Sequence, residues 1–126
     1  MTENELTSKI IEGAIKVHTA LGTGLLESVY EEVLHYELKK MGFSVERQKP
    51  IPVFYDGLKM DVGFRTDLIV ENKILLELKS VENFAPIHFK TTLNYLKLTN
   101  LHLGLLINFN VPYLKDGIKR MINGYV

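Results

Sequence analysis

Within RTDLIVENKILLELKS, residues 65–80, three charged side chains stand among Leu, Ile and Val: Asp67, Glu77 and Lys79. A charge in a buried strand is costly unless it is paired or binds a metal. A hairpin turning over the three residues Glu71, Asn72 and Lys73 pairs positions whose numbers sum to 144, which sets Asp67 directly opposite Glu77. Directly opposed side chains share a face, with Cβ atoms about 4.5–5.5 Å apart. Lys79, two residues beyond Glu77, points the same way. A two-residue turn would instead oppose Asp67 to Leu78 and scatter the charges. Adjacent carboxylates repel each other unless something positive lies between them. A hard divalent cation such as Mg²⁺ takes oxygen ligands, commonly one or two carboxylates with water. Asp67, Glu77 and the backbone carbonyl of Leu78 make such a ligand set, with positions left for water and a phosphate oxygen. That is equipment for metal-assisted phosphodiester hydrolysis. An ion-pair cluster of Asp67 with Lys79 on a solvated sheet face has the same spacing, and spacing alone leaves both readings open.

The elements that position these residues are legible from periodicity. Leu6, Ile10, Ile11, Ala14, Ile15, Val17 and Leu21 fall on a helical stripe over residues 5–21, which GTG at 22–24 breaks. A second helix carries Leu25, Leu26, Val29, Tyr30, Val33, Leu34 and Leu38 on one side, with Gly42 placed to end it. FSVERQ and IPVFYD then read as short strands. Asp56-Gly57 signals a hairpin turn, with LKMDVGF as the partner strand. After the pair RTDLIVE and KILLELKS, Pro86 opens a third helix over IHFKTTLNYLKLTN. LHLGLLINF is a strand of the fully buried type. Pro112 starts a short C-terminal helix with Leu114, Ile118 and Ile122 as its apolar face. The order, helix, helix, several strands, helix, strand, helix, predicts an α/β layered domain with a mixed sheet.

With 126 residues and no repeat, linker or low-complexity segment, residues 1–126 are expected to form a single domain. The absence of cysteine excludes disulfides, thiolate zinc sites and cysteine nucleophiles. MTENELTSK is polar and acidic, unlike a signal peptide, and the longest uncharged run is broken by Asn100, His102, Asn108 and Asn110. A soluble, cytoplasmic protein with no membrane span is expected. Net charge is zero, which argues against a protein that coats nucleic acid. Residues 1–85 hold ten Lys and Arg against fourteen Asp and Glu, while residues 86–126 hold five against Asp116 alone. An acidic body with a basic tail suits a metal site beside a phosphate-contacting surface; a dipolar surface without a role fits as well.

Further candidates are weaker. Tyr30 falls one turn after Glu27 and is placed either to orient it or to pack on the sheet. His88 begins the third helix near the presumed site, within reach of a phosphate. Lys90 and Lys97 lie two turns apart on that helix, where they line a nucleic-acid track or a solvated face. The four histidines show no short ligand spacing, so no zinc site is assigned. GTG lacks the lysine and the spacing of a phosphate loop.

Asp, about ten residues, then Glu-x-Lys across a hairpin resembles the core motif of the PD-(D/E)XK nuclease superfamily. GTGLLESVYEEVLHYELKKMGF resembles the signature of its small GxxExxY family through Gly24, Glu27 and Tyr30. ERQKPIPVFYDG, RTDLIVENKILLELKSVE, NYLKLTN and LGLLINFNV look like successive blocks of the same family, so the resemblance runs over nearly the whole chain. It implies a restriction-endonuclease-like core, a central mixed β-sheet flanked by helices, and a nuclease that uses Mg²⁺ or Mn²⁺ to activate water. It also implies roles: Glu27 as the helical acid that completes the metal site, Asp67 and Glu77 as the strand ligands, and Lys79 on the attacking water. Tyr95 matches the tyrosine of a QxxxY motif, whose Gln position holds Thr91 here. Threonine reaches less far, which leaves the positioning of substrate at that corner open. With two carboxylates beside it, Lys79 is expected to remain charged and to stabilise the transition state. The implied partner is nucleic acid, DNA ahead of RNA, with specificity supplied by a homodimer or another protein. The alternative is a nucleic-acid-binding or assembly module that keeps the fold and cleaves nothing.

Overall fold

The computed structural model describes residues 1–124. Helix α1, Glu3–Leu21, begins where Thr2 Oγ1 accepts the Glu5 N–H (3.1 Å), satisfying one of the first-turn donors. It buries Leu6, Ile10, Ala14 and Val17 of the stripe read from the sequence, with Ile11 and Leu21 half-buried and Ile15 exposed, and ends at Gly22, whose φ of 73° suits glycine. Helix α2, Glu27–Lys40, buries Tyr30, Leu34 and Leu38. Leu25 and Leu26 precede it and, with Val29, are exposed, so these three do not join the apolar side expected of them.

Five strands form one mixed sheet: β1 Val45–Ile51, β4 Phe64–Val70, β5 Ile74–Lys79, β6 Leu103–Asn108 and β7 Ile118–Ile122, in the order β1-β4-β5-β6-β7. Among the described residues only β5 and β6 pair in parallel; the helix α3, Pro86–Thr99, supplies the crossover that parallel neighbours require. Between β1 and β4 a two-residue hairpin, β2 Phe54–Tyr55 and β3 Leu58–Lys59, forms a separate small sheet. Asp56 (φ 56°) and Gly57 (φ 76°) make its turn, both in the left-handed region that such hairpins need. The hairpin exposes Phe54, Tyr55 and Leu58 at 61–74%.

Leu68 and Val70 of β4, Ile74, Leu76 and Leu78 of β5, and Leu103, Leu105 and Ile107 of β6 pack with α1 and α2 in the core. The opposite face receives α3. A Cβ on Gly104 would lie 3.2 Å from both the Leu75 carbonyl oxygen and the Leu96 side chain, so this glycine lets α3 sit close on β6. No helix is long and apolar enough to cross a membrane among the described residues.

Two expectations are corrected. FSVERQ and IPVFYD divide elsewhere than expected, because β1 runs unbroken from Val45 to Ile51 through Pro50 and the second strand keeps only Phe54–Tyr55. As an edge strand, β1 tolerates a residue with no N–H to donate. The C-terminal helix is instead a single 3₁₀ turn, Leu114–Gly117, followed by β7. A spacing of four residues puts Ile118 and Ile122 on one side of a helix and equally on one side of a strand. The open edge of β6 decides for the strand, through Leu103–Ile122 and Ile107–Ile118 pairing.

Candidate active site

The β4–β5 hairpin turns over Glu71, Asn72 and Lys73, with Glu71 (φ 53°) and Asn72 (φ 52°) left-handed. Its pairs Leu68–Leu76, Ile69–Leu75 and Val70–Ile74 follow the expected register, whose next step would be Asp67 with Glu77. At that step the regular ladder ends and side chains take over. The Asp67 N–H donates to Glu77 Oε1 (3.2 Å), and the Leu78 N–H donates to Asp67 Oδ2 (2.8 Å). On the other side of β4 the β1 ladder pairs Arg47–Leu68 and Lys49–Thr66 but not residue 48 with residue 67. Asp67 thus stands at a gap in the sheet on both flanks.

Glu77 is buried and Asp67 half-buried, without a compensating cation. Glu77 is 5% exposed, and no ion pair reaches Asp67, Glu77 or Lys79 among the described residues. Burial raises Asp67 to about 6; the Leu78 N–H opposes this, and the Glu31 carboxylate adds to it. Burial and the Asp67 charge raise Glu77 to about 8, against the Asp67 N–H. Lys79 lowers both, being near enough to act by charge though not by contact.

Two residues that sequence reasoning missed complete this network. Glu31, 5% exposed on α2, accepts from Arg47 Nε (2.7 Å) through one oxygen and from Gln48 Nε2 (2.6 Å) through the other. Gln48 Nε2 also lies 3.4 Å from Asp67 Oδ1. Gln48 adopts φ 53° inside β1, a conformation that costs an L-residue roughly 1–2 kcal/mol. At the far end of β5, Asn108 is 2% exposed and ties Val81 down, accepting its N–H (3.1 Å) and donating to its carbonyl (2.8 Å). The Phe109 N–H donates to the Lys79 carbonyl (2.9 Å), so the chain leaving Lys79 is fixed at two points.

The other sequence candidates separate into near and far. Glu27, the first residue of α2, is exposed and accepts the Ser80 N–H (3.0 Å) just beyond β5. The helical carboxylate whose charge acts on both Asp67 and Glu77 is Glu31, one turn further on. Among the described residues no group of three or more Asp, Glu, His or Cys side chains is gathered as a metal site. Leu78 meets Asp67 through its N–H, and its side chain is in the core. Tyr30 is fully buried, its ring stacked on Phe109 at 4.5 Å. Its hydroxyl donates to the Gly22 carbonyl (2.7 Å) and accepts the Leu25 N–H (3.3 Å). It therefore closes the GTG loop onto the core and meets neither Glu27 nor solvent. Tyr30→Phe is expected to cost about 1–2 kcal/mol in urea denaturation, the worth of a lost buried hydrogen bond. An unchanged midpoint would show that the hydroxyl does not hold the loop.

On α3, Tyr95 stacks on Phe64 of β4 at 4.1 Å. Burial raises its hydroxyl first, and the Glu77 and Asp67 charges raise it further, which places it beside the pair. Thr91, one turn earlier, is half-buried, while Lys90 and Lys97 are exposed. His88 Nδ1 accepts the Ala85 N–H (3.0 Å), so that nitrogen caps α3.

The donor chemistry fits a hard divalent cation. Two opposed carboxylates without nearby sulfur or imidazole suit Mg²⁺-class ions better than zinc. The cation would also offset the burial and the like-charge repulsion that raise both carboxyls. No curated protein and no solved structure matches the chain. The model of the PD-(D/E)XK nuclease superfamily matches residues 4–121, and the mixed sheet flanked by helices has the corresponding architecture. The chain belongs to the PD-(D/E)XK nuclease superfamily.

Proposed function

We propose that residues 1–126 form one nuclease domain of the GxxExxY type, which hydrolyses nucleic-acid phosphodiester bonds with Mg²⁺ or Mn²⁺. The observation that carries this reading is the Asp67–Glu77 pair at the gap in the sheet, Glu77 buried and Asp67 half-buried with no ion-pair partner, and Lys79 two residues on. A bound divalent cation would supply Lewis-acid polarisation of the phosphodiester and a more acidic water. Asp67 and Glu77 would hold it, with the Leu78 carbonyl and Glu27 as the remaining candidate ligands. Lys79 stabilises the negative charge that grows on the phosphate oxygens. Tyr95 borders the substrate beside the pair, and Thr91, His88 and Lys90 are the candidate contacts further along α3. The protein acts in the cytoplasm on DNA ahead of RNA, with a homodimer or another protein supplying specificity.

Hydrolysis of end-labelled single- and double-stranded DNA and RNA with Mg²⁺, Mn²⁺ or EDTA tests the proposal. Cleavage of at least one substrate, abolished by EDTA, is expected. A second reading, an assembly module that cleaves nothing, is favoured by Thr91 at the motif's Gln position and by the exposed apolar β2–β3 hairpin. Absence of cleavage with every substrate and cation would select it.

A further inference from the structure

Among the described residues, five other than glycine have positive φ: Gln48, Asp56, Glu71, Asn72 and Asn100. Four of these are explained by local structure, since Asp56, Glu71 and Asn72 form hairpin turns and Asn100 caps α3. Gln48 lies inside β1, where nothing in the chain path calls for it. Arg47–Leu68 and Lys49–Thr66 keep one register across it, so no residue is inserted and the strand is not bulged. Only the step between residues 48 and 67 is lost, at the residue opposite the candidate ligand.

The flip matters through the side chain it aims. The Gln48 carboxamide places Nε2 2.6 Å from Glu31 Oε1 and 3.4 Å from Asp67 Oδ1. It therefore puts a neutral donor between two carboxylates that would otherwise repel. The far oxygen of Glu31 is held by Arg47 Nε at 2.7 Å, and the far oxygen of Asp67 by the Leu78 N–H at 2.8 Å. Arg47, Glu31, Gln48 and Asp67 thus form one chain of hydrogen bonds, anchored at each end, with Gln48 as its strained link. Strained backbone retained at such a place is a mark of function when the surroundings impose it.

We infer that Gln48 is a positioning residue: its left-handed conformation and carboxamide fix the Asp67 carboxylate in the orientation that receives a divalent cation. This rests on the metal-site reading above. Partners of a metal ligand typically change cation affinity by about 10–100-fold when removed. The contact to Asp67 is long, so a loss of roughly tenfold is expected here.

The test is Mn²⁺ titration by calorimetry on wild type, Gln48→Gly and Gln48→Asn, with thermal denaturation of each in EDTA. Glycine adopts the left-handed conformation freely, so Gln48→Gly should fold with Tm unchanged or raised. Its Kd for Mn²⁺ should rise about tenfold, with Gln48→Asn, one methylene short, lying between it and wild type. A raised Tm with an unchanged Kd would make Gln48 merely structural and overturn the inference. Failure of wild type to bind Mn²⁺ would overturn the metal-site reading itself, and this inference with it.

Discussion

Without divalent cation, the protein should lose on the order of 3–5 kcal/mol of stability between pH 4 and pH 8.5, and Glu77→Gln should restore most of it at the alkaline end. Burial raises Asp67 to about 6, and burial with the Asp67 charge raises Glu77 to about 8. Unfolded, both carboxyls release their protons near pH 4. Between that pH and about 8 the folded state therefore binds more protons than the unfolded state. Stability is then greatest below the unfolded values and falls as pH rises through the folded ones. His35 works in the opposite direction, because burial and then the charges of Lys39 and Arg47 lower it. Subtracting the Glu77→Gln profile from that of wild type isolates the carboxylate contribution. Urea denaturation in EDTA at pH 5 and pH 8.5 measures it. A Glu77→Gln protein less stable than wild type at pH 8.5 would show that the pair is already compensated. Added Mg²⁺ should stabilise wild type more at pH 8.5 than at pH 5, since protons must leave the carboxyls for it to bind.

The second large effect concerns Lys79. Lys79→Met should lower the rate of cleavage by roughly 10²–10³, the usual cost of losing a group aimed at transition-state charge. Its affinity for Mn²⁺ should remain close to that of wild type, because Lys79 acts on the pair by charge without ion-pair contact. Lys79→Arg keeps the charge and should recover part of the rate, with an acid limb of the pH–rate profile that moves with the cation used. Two results would remove Lys79 from the site: wild-type cleavage by Lys79→Met, or an acid limb that follows residue 79 regardless of cation. Lys79 would then be a solvated lysine at the end of β5.

The hairpin that opposes Asp67 to Glu77 was legible because its information is local. Asn72 favours a left-handed turn, and flanking apolar residues fix which face is buried. The helical stripe of α1 was equally readable, as were the turn at Asp56-Gly57 and the proline opening α3. The C-terminal helix failed because Ile118 and Ile122 satisfy two periodicities at once, and only the vacant edge of β6 chooses between them. Glu31 escaped notice for another reason. In sequence it belongs to the polar residues of an amphipathic helix, and its burial arises only when α2 meets β1 at Arg47 and Gln48. Gln48 carries no signal of its own, since glutamine has no special preference for positive φ. Glu27 was singled out by a motif, yet the structure carries it to the Ser80 N–H and brings Glu31 to the pair. Residues set by local rules were thus visible, whereas those set by the meeting of α2 with the sheet were not.

The most direct measurement is cleavage of labelled single- and double-stranded DNA and RNA by wild type and Glu77→Gln, purified identically, with Mg²⁺, Mn²⁺ or EDTA. Glutamine is nearly isosteric and removes one ligand charge, so the fold is kept while the proposed cation site is impaired. Cation-dependent cleavage by wild type, lowered at least about 10²-fold in Glu77→Gln, is the predicted result. Equal cleavage by both proteins, or none by wild type with any substrate and either cation, would contradict it.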